Sequence, residues 1–176
     1  SVTKIVRLIH KKHRSIDVLI NNAGVLTNSP LALLSHEQID NMINLNFSSV
    51  IHTSKEFFSL MLRKKHGRII NIVSMASRLS VPGDSVYAAT KSGIETFSKI
   101  LNVEGCKFDI TCNCIGVSAL ETGMLEGIVS KSNDQIKNLI PHNKFGDIST
   151  ILKLINLYAS EDSSDIGGQT IFLGGV

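Results

Sequence analysis

The 176-residue chain is predicted to adopt an α/β fold built on a parallel sheet. Two observations carry this. Strand-like and helix-like stretches alternate from one end to the other, which implies parallel strands joined by right-handed crossovers. Asp17–Ile20, reading Asp-Val-Leu-Ile, is apolar without alternation, as a strand covered on both faces should be. No internal repeat or low-complexity tract interrupts the pattern.

The elements follow in order. Val2, Ile5, Val6, Leu8 and Ile9 mark one face of a helix over Val2–His13, and the cationic run Lys11–Arg14 suits its C-terminus. The strand Asp17–Ile20 runs into Asn21-Asn22-Ala23-Gly24. There the small residues admit close approach to the backbone, and the Asn amides can hydrogen-bond across neighbouring strand ends. A plain strand-to-loop turn explains the same residues. Ser35-x-x-Gln38 has the form of a capping box. It opens a helix over His36–Lys65 whose buried side carries Ile39, Met42, Ile43, Phe47, Val50, Ile51, Ser54 and Phe58. Asn46 is unfavourable inside it, and either distorts the helix or faces solvent. Gly67 is read as the terminator of that helix.

A second strand, Arg68–Val73, ends at Ser74, on the side of the sheet where such folds bind ligands. The loop Met75–Asp84 carries the turn signal Pro82-Gly83. Ser85 then opens a helix to Gly105 with Ile94, Phe97, Ile100 and Leu101 at helical spacing. Asp109–Cys114 reads as a third strand, Gly116–Met124 as a loop, Ile148–Ala159 as a last helix and Gln169–Leu173 as a last strand. Leu125–Ile140 is broken by Ser-Asn-Asp and reads either as a lid or as a surface connection.

Composition narrows the function classes. Hydrophobic residues make up 43% and charged residues 19%, an ordinary globular balance. A net charge of +3 is too mild to imply nucleic acid. The run Arg63, Lys64, Lys65 and His66 is expected to complement the negative end of the preceding helix. Three cysteines form no even framework, and Cys112 and Cys114 share one strand face as small buried residues. A metal held by that pair would need further ligands at zinc spacing, which the neighbourhood lacks, so no metal is expected. With no 18-residue apolar run and no leader pattern, a soluble, cytoplasmic protein without a membrane partner is expected.

The chemistry centres on Ser85–Gly93, Ser-Val-Tyr-Ala-Ala-Thr-Lys-Ser-Gly. Tyr87 and Lys91 are four apart, so on a helix they share a face about 5–6 Å apart at Cβ. The ammonium is expected to favour phenolate and lower the Tyr87 pKa toward working pH. Alone, such a pair occurs on many exposed helices by chance.

Asn21-Asn22-Ala23-Gly24, Asn46, Ser74 and Tyr87-x-x-x-Lys91, in this order and separation, resemble the short-chain dehydrogenase/reductase family. The resemblance runs from about Asp17 to the C-terminus. Asn46–Ser49, Lys64–Ile70 and Lys91-Ser92-Gly93 resemble its branch containing 3-oxoacyl-acyl-carrier-protein reductases. The resemblance implies a Rossmann-type, doubly wound parallel sheet of about four strands with flanking helices, incomplete at its N-terminal side. Residues 1–176 would form a single partial NAD(P)-binding domain, with 121–140 as candidate lid.

It also implies an activity: an oxidoreductase using NADP or NAD to interconvert a carbonyl and a secondary alcohol, its substrate small or acyl-carrier-linked. Tyr87 would be the acid in reduction and the base in oxidation. Ser74 would hydrogen-bond the substrate oxygen. Lys91 would hold the nicotinamide ribose and lower the Tyr87 pKa, and Asn46 would anchor a water relaying protons from Lys91. Asn22, Ala23 and Gly24 would line the adenosine-ribose side, and Leu120 and Thr122 the nicotinamide carboxamide. Tyr87 and Lys91 therefore count toward both catalysis and cofactor binding. The long helices His36–Lys65 and Val86–Gly105 carry more apolar positions than one sheet face needs, and the resemblance implies a homo-oligomer, dimer or tetramer.

Departures from the family set the alternative. Its glycine-rich phosphate turn, Thr-Gly-x-x-x-Gly-x-Gly, is not found, and on family size about 65–75 residues would precede this chain. Val18, Leu19 and Ile20 are then expected on an open apolar edge. On that basis the chain alone is expected to be unstable or to associate, and to bind cofactor poorly. The competing reading is a truncated, non-catalytic family member acting as an oligomer subunit or interaction module. Val117-Ser118 stands where the family usually carries Pro-Gly, and the C-terminal Leu173-Gly174-Gly175-Val176 has a Gly where the family often has Asp or Asn.

Overall fold

The computed structural model describes residues 2–120 and 137–176. The described chain runs α1 (Val2–His13), β1 (Val18–Asn21), α2 (His36–Ile43), α3 (Ser49–Lys64), β2 (Gly67–Ser74), α4 (Ala76–Leu79) and α5 (Ser85–Gly105). It continues with β3 (Ile110–Val117), α6 (Ile148–Ala159) and β4 (Thr170–Phe172). The strands form one parallel sheet in the order β1-β2-β3-β4. Consecutive residues of a strand face opposite sides, and here each side is covered. Ile69 packs with Val6, Leu19, Phe57, Met61 and Leu101 under α1, α3 and α5. Its neighbour Ile70 packs with Ile115 and Tyr158 under α6. This is the two-sided α/β layering expected of the sequence.

The capping box is formed. Gln38 N–H donates to Ser35 Oγ at 3.1 Å, and Ser35 N–H donates to Gln38 Oε1 at 2.9 Å. The single helix expected over His36–Lys65 is instead two helices joined by a π-helical segment, Asn44–Ser48. Asn46 lies in that segment, completely buried, so of its two expected outcomes distortion is the one realised.

Gly67 does not end the helix. The chain turns at Lys65, which takes the left-handed conformation at φ 57° and donates its backbone N–H to the Met61 carbonyl. Gly67 is the first residue of β2, paired with Ile110, and a side chain there would overlap Met61. The third strand is longer than expected and reaches Val117. Gly116 is therefore strand rather than loop, and packs beneath the Phe172 ring. The segment Met75–Asp84, expected as loop, contains the short α4. Cys112 and Cys114 are fully buried on one face of β3, as expected.

The basic run at the end of α3 meets acids: Lys64 pairs with Asp17, and His66 Nδ1 lies 2.6 Å from Asp109. β1 is the edge strand of the described sheet. Ile20 is exposed there, whereas Leu19 is buried in the core. Among the described residues no helix is long and apolar enough to cross a membrane.

Candidate active site

Parallel strands deliver their carboxyl ends to one edge of the sheet, and most of the predicted residues that the structure describes gather there. At the end of β1, Asn21 Nδ2 donates to Asn71 Oδ1 at 2.7 Å and to Ser54 Oγ at 3.1 Å. Asn71 Nδ2 in turn donates to Ser98 Oγ at 2.8 Å. The amide does bridge neighbouring strands, but it is Asn21 that does so. Asn22 and Ala23 are exposed.

Gly24 is held close to two predicted residues at once. A Cβ there would lie 3.1 Å from Asn46 Oδ1 and 3.4 Å from Lys91 Nζ. Asn46 reaches past it to Val25, accepting from its N–H and donating to its carbonyl, both at 2.8 Å. The π-helical offset is what turns this side chain inward, so Asn46 acts here as a strut for the loop after β1.

Ser74 ends β2, beside Val117 of β3, and its Oγ accepts from Ala76 N–H at 3.2 Å. Tyr87 and Lys91 rise from the first turns of α5 on one face. Ser74, Tyr87 and Lys91 are all buried, at 8%, 8% and 6% exposure. Lys91 Nζ donates to the Ile72 carbonyl at 2.9 Å and lies 5.8 Å from the Tyr87 ring centre.

The electrostatics correct one expectation. The Tyr87 phenol is raised, not lowered, relative to its ordinary value: burial dominates, the Ser74 hydrogen bond pulls it back down, and the Asp84 carboxylate adds to the rise. Lys91 is pulled down to about 8 by burial, with Cys114 acting in the other direction. Both groups are thus driven toward their neutral forms, because desolvation penalises whichever form is charged.

One hollow of about 260 Å³ unites the set. Asn22, Gly24, Ser74, Tyr87, Lys91 and Leu120 all line it. Asn46 and Ala23 do not, the former standing behind Gly24. Thr122 lies outside the described residues, as does most of the candidate lid 121–140, although Leu139 and Ile140 from its end line the hollow. Asn28 and Asp84 also line it and were not foreseen. The one signal for Asp84 was its place three residues before Tyr87.

The donor set suits a nicotinamide nucleotide. Gly24 leaves the space a Cβ would fill beside Lys91, and the Lys91 ammonium commits one of its three donors to Ile72.

Known proteins resemble this chain over most of its length. Residues 1–133 match the family model described as short chain dehydrogenase. The 3-oxoacyl-[acyl-carrier-protein] reductase of Buchnera aphidicola subsp. Acyrthosiphon pisum is 33% identical over 175 residues, covering 99% of this chain and 72% of that protein. The enzyme of the same name from Haemophilus influenzae is 31% identical over 175 residues, with the same coverage. A crystal structure of gluconate 5-dehydrogenase from Burkholderia cenocepacia, in complex with NADP and tartrate, superposes with a TM-score of 0.92 at 26% identity. It covers 99% of this chain and 69% of that one. The chain belongs to the short-chain dehydrogenase/reductase family, on the branch of the 3-oxoacyl-acyl-carrier-protein reductases.

Proposed function

We propose that this chain carries the proton-transfer site of an NAD(P)-dependent oxidoreductase that interconverts a carbonyl and a secondary alcohol, with 3-oxoacyl thioesters on an acyl carrier as its substrate class. The observation that carries the reading is the convergence of Ser74, Tyr87 and Lys91 on one hollow, with Ser74 close enough to the Tyr87 phenol to oppose the rise in its pKa. The names of the relatives and the NADP in the Burkholderia structure support the cofactor and substrate class.

Asn22, Gly24, Lys91, Leu120 and, by family position, Ala23 and Thr122 would hold the nicotinamide nucleotide. That cofactor, NADP or NAD, supplies or accepts the hydride when bound. The chain's own residues handle the oxygen. Tyr87 is kept protonated by burial, so in reduction its hydroxyl donates a proton to the oxygen that receives charge. Ser74 offers a second, preplaced donor to that oxygen. Lys91 holds ribose hydroxyls and, with a water at the Asn46 backbone, resupplies the proton. Exposed Ile100 and Val103 on α5 favour a homo-oligomer.

The test is reduction of an acetoacetyl thioester, followed by loss of NADPH or NADH absorbance, in wild type and Y87F. Y87F is expected to lose turnover by roughly 10²–10⁴-fold while nucleotide fluorescence still reports binding. Unchanged turnover in Y87F would reject the role. A wild type that neither turns over nor binds nucleotide would favour the non-catalytic subunit instead.

A further inference from the structure

We propose that Asp84 is a charge filter in the substrate part of the hollow, restricting it to substrates with no negative charge close to the reacting carbon. The proposal rests on the oxidoreductase reading for the purpose of the hollow, though its test does not require turnover.

Asp84 occupies the N-cap position of α5, where an Asp commonly accepts a bond from the first-turn amides. Here it makes no such bond. Its Oδ1 accepts from Asn28 Nδ2 at 2.6 Å. Gly83 makes room for that partner: it has φ +95°, and a Cβ there would come 2.8 Å from Asn28 Nδ2. Ser29 N–H donates to the Gly83 carbonyl at 3.1 Å and ties the two loops a second time. The carboxylate is therefore fixed, and at 9% exposure it is nearly removed from bulk solvent while still lining the hollow.

Among the described lining residues Asp84 and Lys91 alone carry charged side chains. Seven positions separate them along α5, about 10 Å at the helical rise, with Tyr87 between. Lys91 spends its charge at the far end, beside the Ile72 carbonyl and Gly24. The rest of the lining includes Leu26, Val81, Leu139 and Ile140, an apolar wall that does little to screen a fixed charge. The N-terminus of a 21-residue helix would by itself attract an anion. A carboxylate placed there cancels that attraction and repels a second one. An uncharged acyl chain meets only the apolar wall. A like charge facing a fixed one is a common device for excluding the wrong ligand.

The test is ligand-observed NMR titration with methyl 3-oxooctanoate and with the 3-oxooctanoate anion, which share an acyl chain and differ in charge. Wild type is expected to bind the ester about tenfold more tightly or better, and D84N to narrow that gap to roughly threefold or less. The amide oxygen of D84N can accept the same Asn28 bond, and its melting temperature reports whether the fold is kept. D84S, which keeps an acceptor and loses the charge, serves in its place if D84N does not fold. An equal preference in wild type, a gap unchanged in a folded variant, or binding of neither ligand would overturn the proposal. Failure of the chain to reduce an acetoacetyl thioester would count against the oxidoreductase reading alone.

Discussion

The side chain of Asn46 and the backbone of Val25 close a two-bond ring, N–H to Oδ1 and Nδ2 to carbonyl, both at 2.8 Å. This ring holds the loop after β1 against a π-helical segment and fixes Gly24 beside Lys91. It makes the amide difficult to replace. N46A leaves the part-buried N–H and carbonyl of Val25 unpaired, at a cost of about 1–3 kcal/mol for the pair. N46D keeps the acceptor but sets an oxygen against the Val25 carbonyl. Burial raises the folded-state pKa of that acid above its unfolded value, so N46D should regain stability as pH falls through the folded value. Urea melts at pH 8 and pH 5 check this, and a pH-independent loss would contradict it.

The buried phenol should be reluctant to ionise. The chain has two tyrosines. Tyr87 is raised by burial, with Ser74 opposing and Asp84 adding, and Tyr158 is pushed up to about 12 by burial, with Cys114 adding. Absorbance at 295 nm of the folded, cofactor-free chain should show no tyrosinate at about pH 9. S74A should move the Tyr87 step higher, since it removes the one contact that pulls it down. A step near neutral pH, absent from Y87F, would contradict the account.

Lys91 gives the opposite slope. Its folded-state pKa of about 8 lies below the ordinary 10.5. Between those values the unfolded chain binds more protons, so stability rises with pH across that window. Below it the burial of the ammonium costs on the order of 3 kcal/mol. Wild type should therefore gain on K91M between pH 7.5 and 10 in urea melts. Parallel pH profiles for the two would contradict a buried ammonium.

The turn after α3 yields a paired test. Lys65 holds φ 57°, so K65G should stabilise by about 0.5–1 kcal/mol. Gly67 is instead needed for packing against Met61, so G67A should destabilise by roughly 1–3 kcal/mol. If K65G destabilises and G67A is neutral, the glycine ends the helix after all.

What the sequence disclosed and what it hid divide along the range of the interactions. The Ser35–Gln38 box and the span Ile148–Ala159 depend on neighbours within a turn or two, and both were legible. Lys65 and Gly67 were misread because glycine is the usual helix terminator, and the packing against Met61 leaves no local signature. The Tyr87–Lys91 pairing was legible from spacing. The direction of the Tyr87 shift was not, because burial is a property of the whole fold. Asp84 and Asn28 are 56 positions apart and meet only once the loops after β1 and β2 are folded over the hollow. Ser74, Tyr87 and Lys91 were thus legible as lining one hollow, whereas the Asp84–Asn28 contact across it was not.

The claim beneath all of this is that Ser74 and Tyr87 act as one unit on a substrate oxygen. A double-mutant cycle of S74A and Y87F, read as kcat/KM for acetoacetyl thioester reduction, tests it most directly. The account predicts that the double variant is only marginally slower than Y87F alone, since groups acting together are strongly non-additive. Two independent, additive losses, or turnover that survives Y87F, would contradict it.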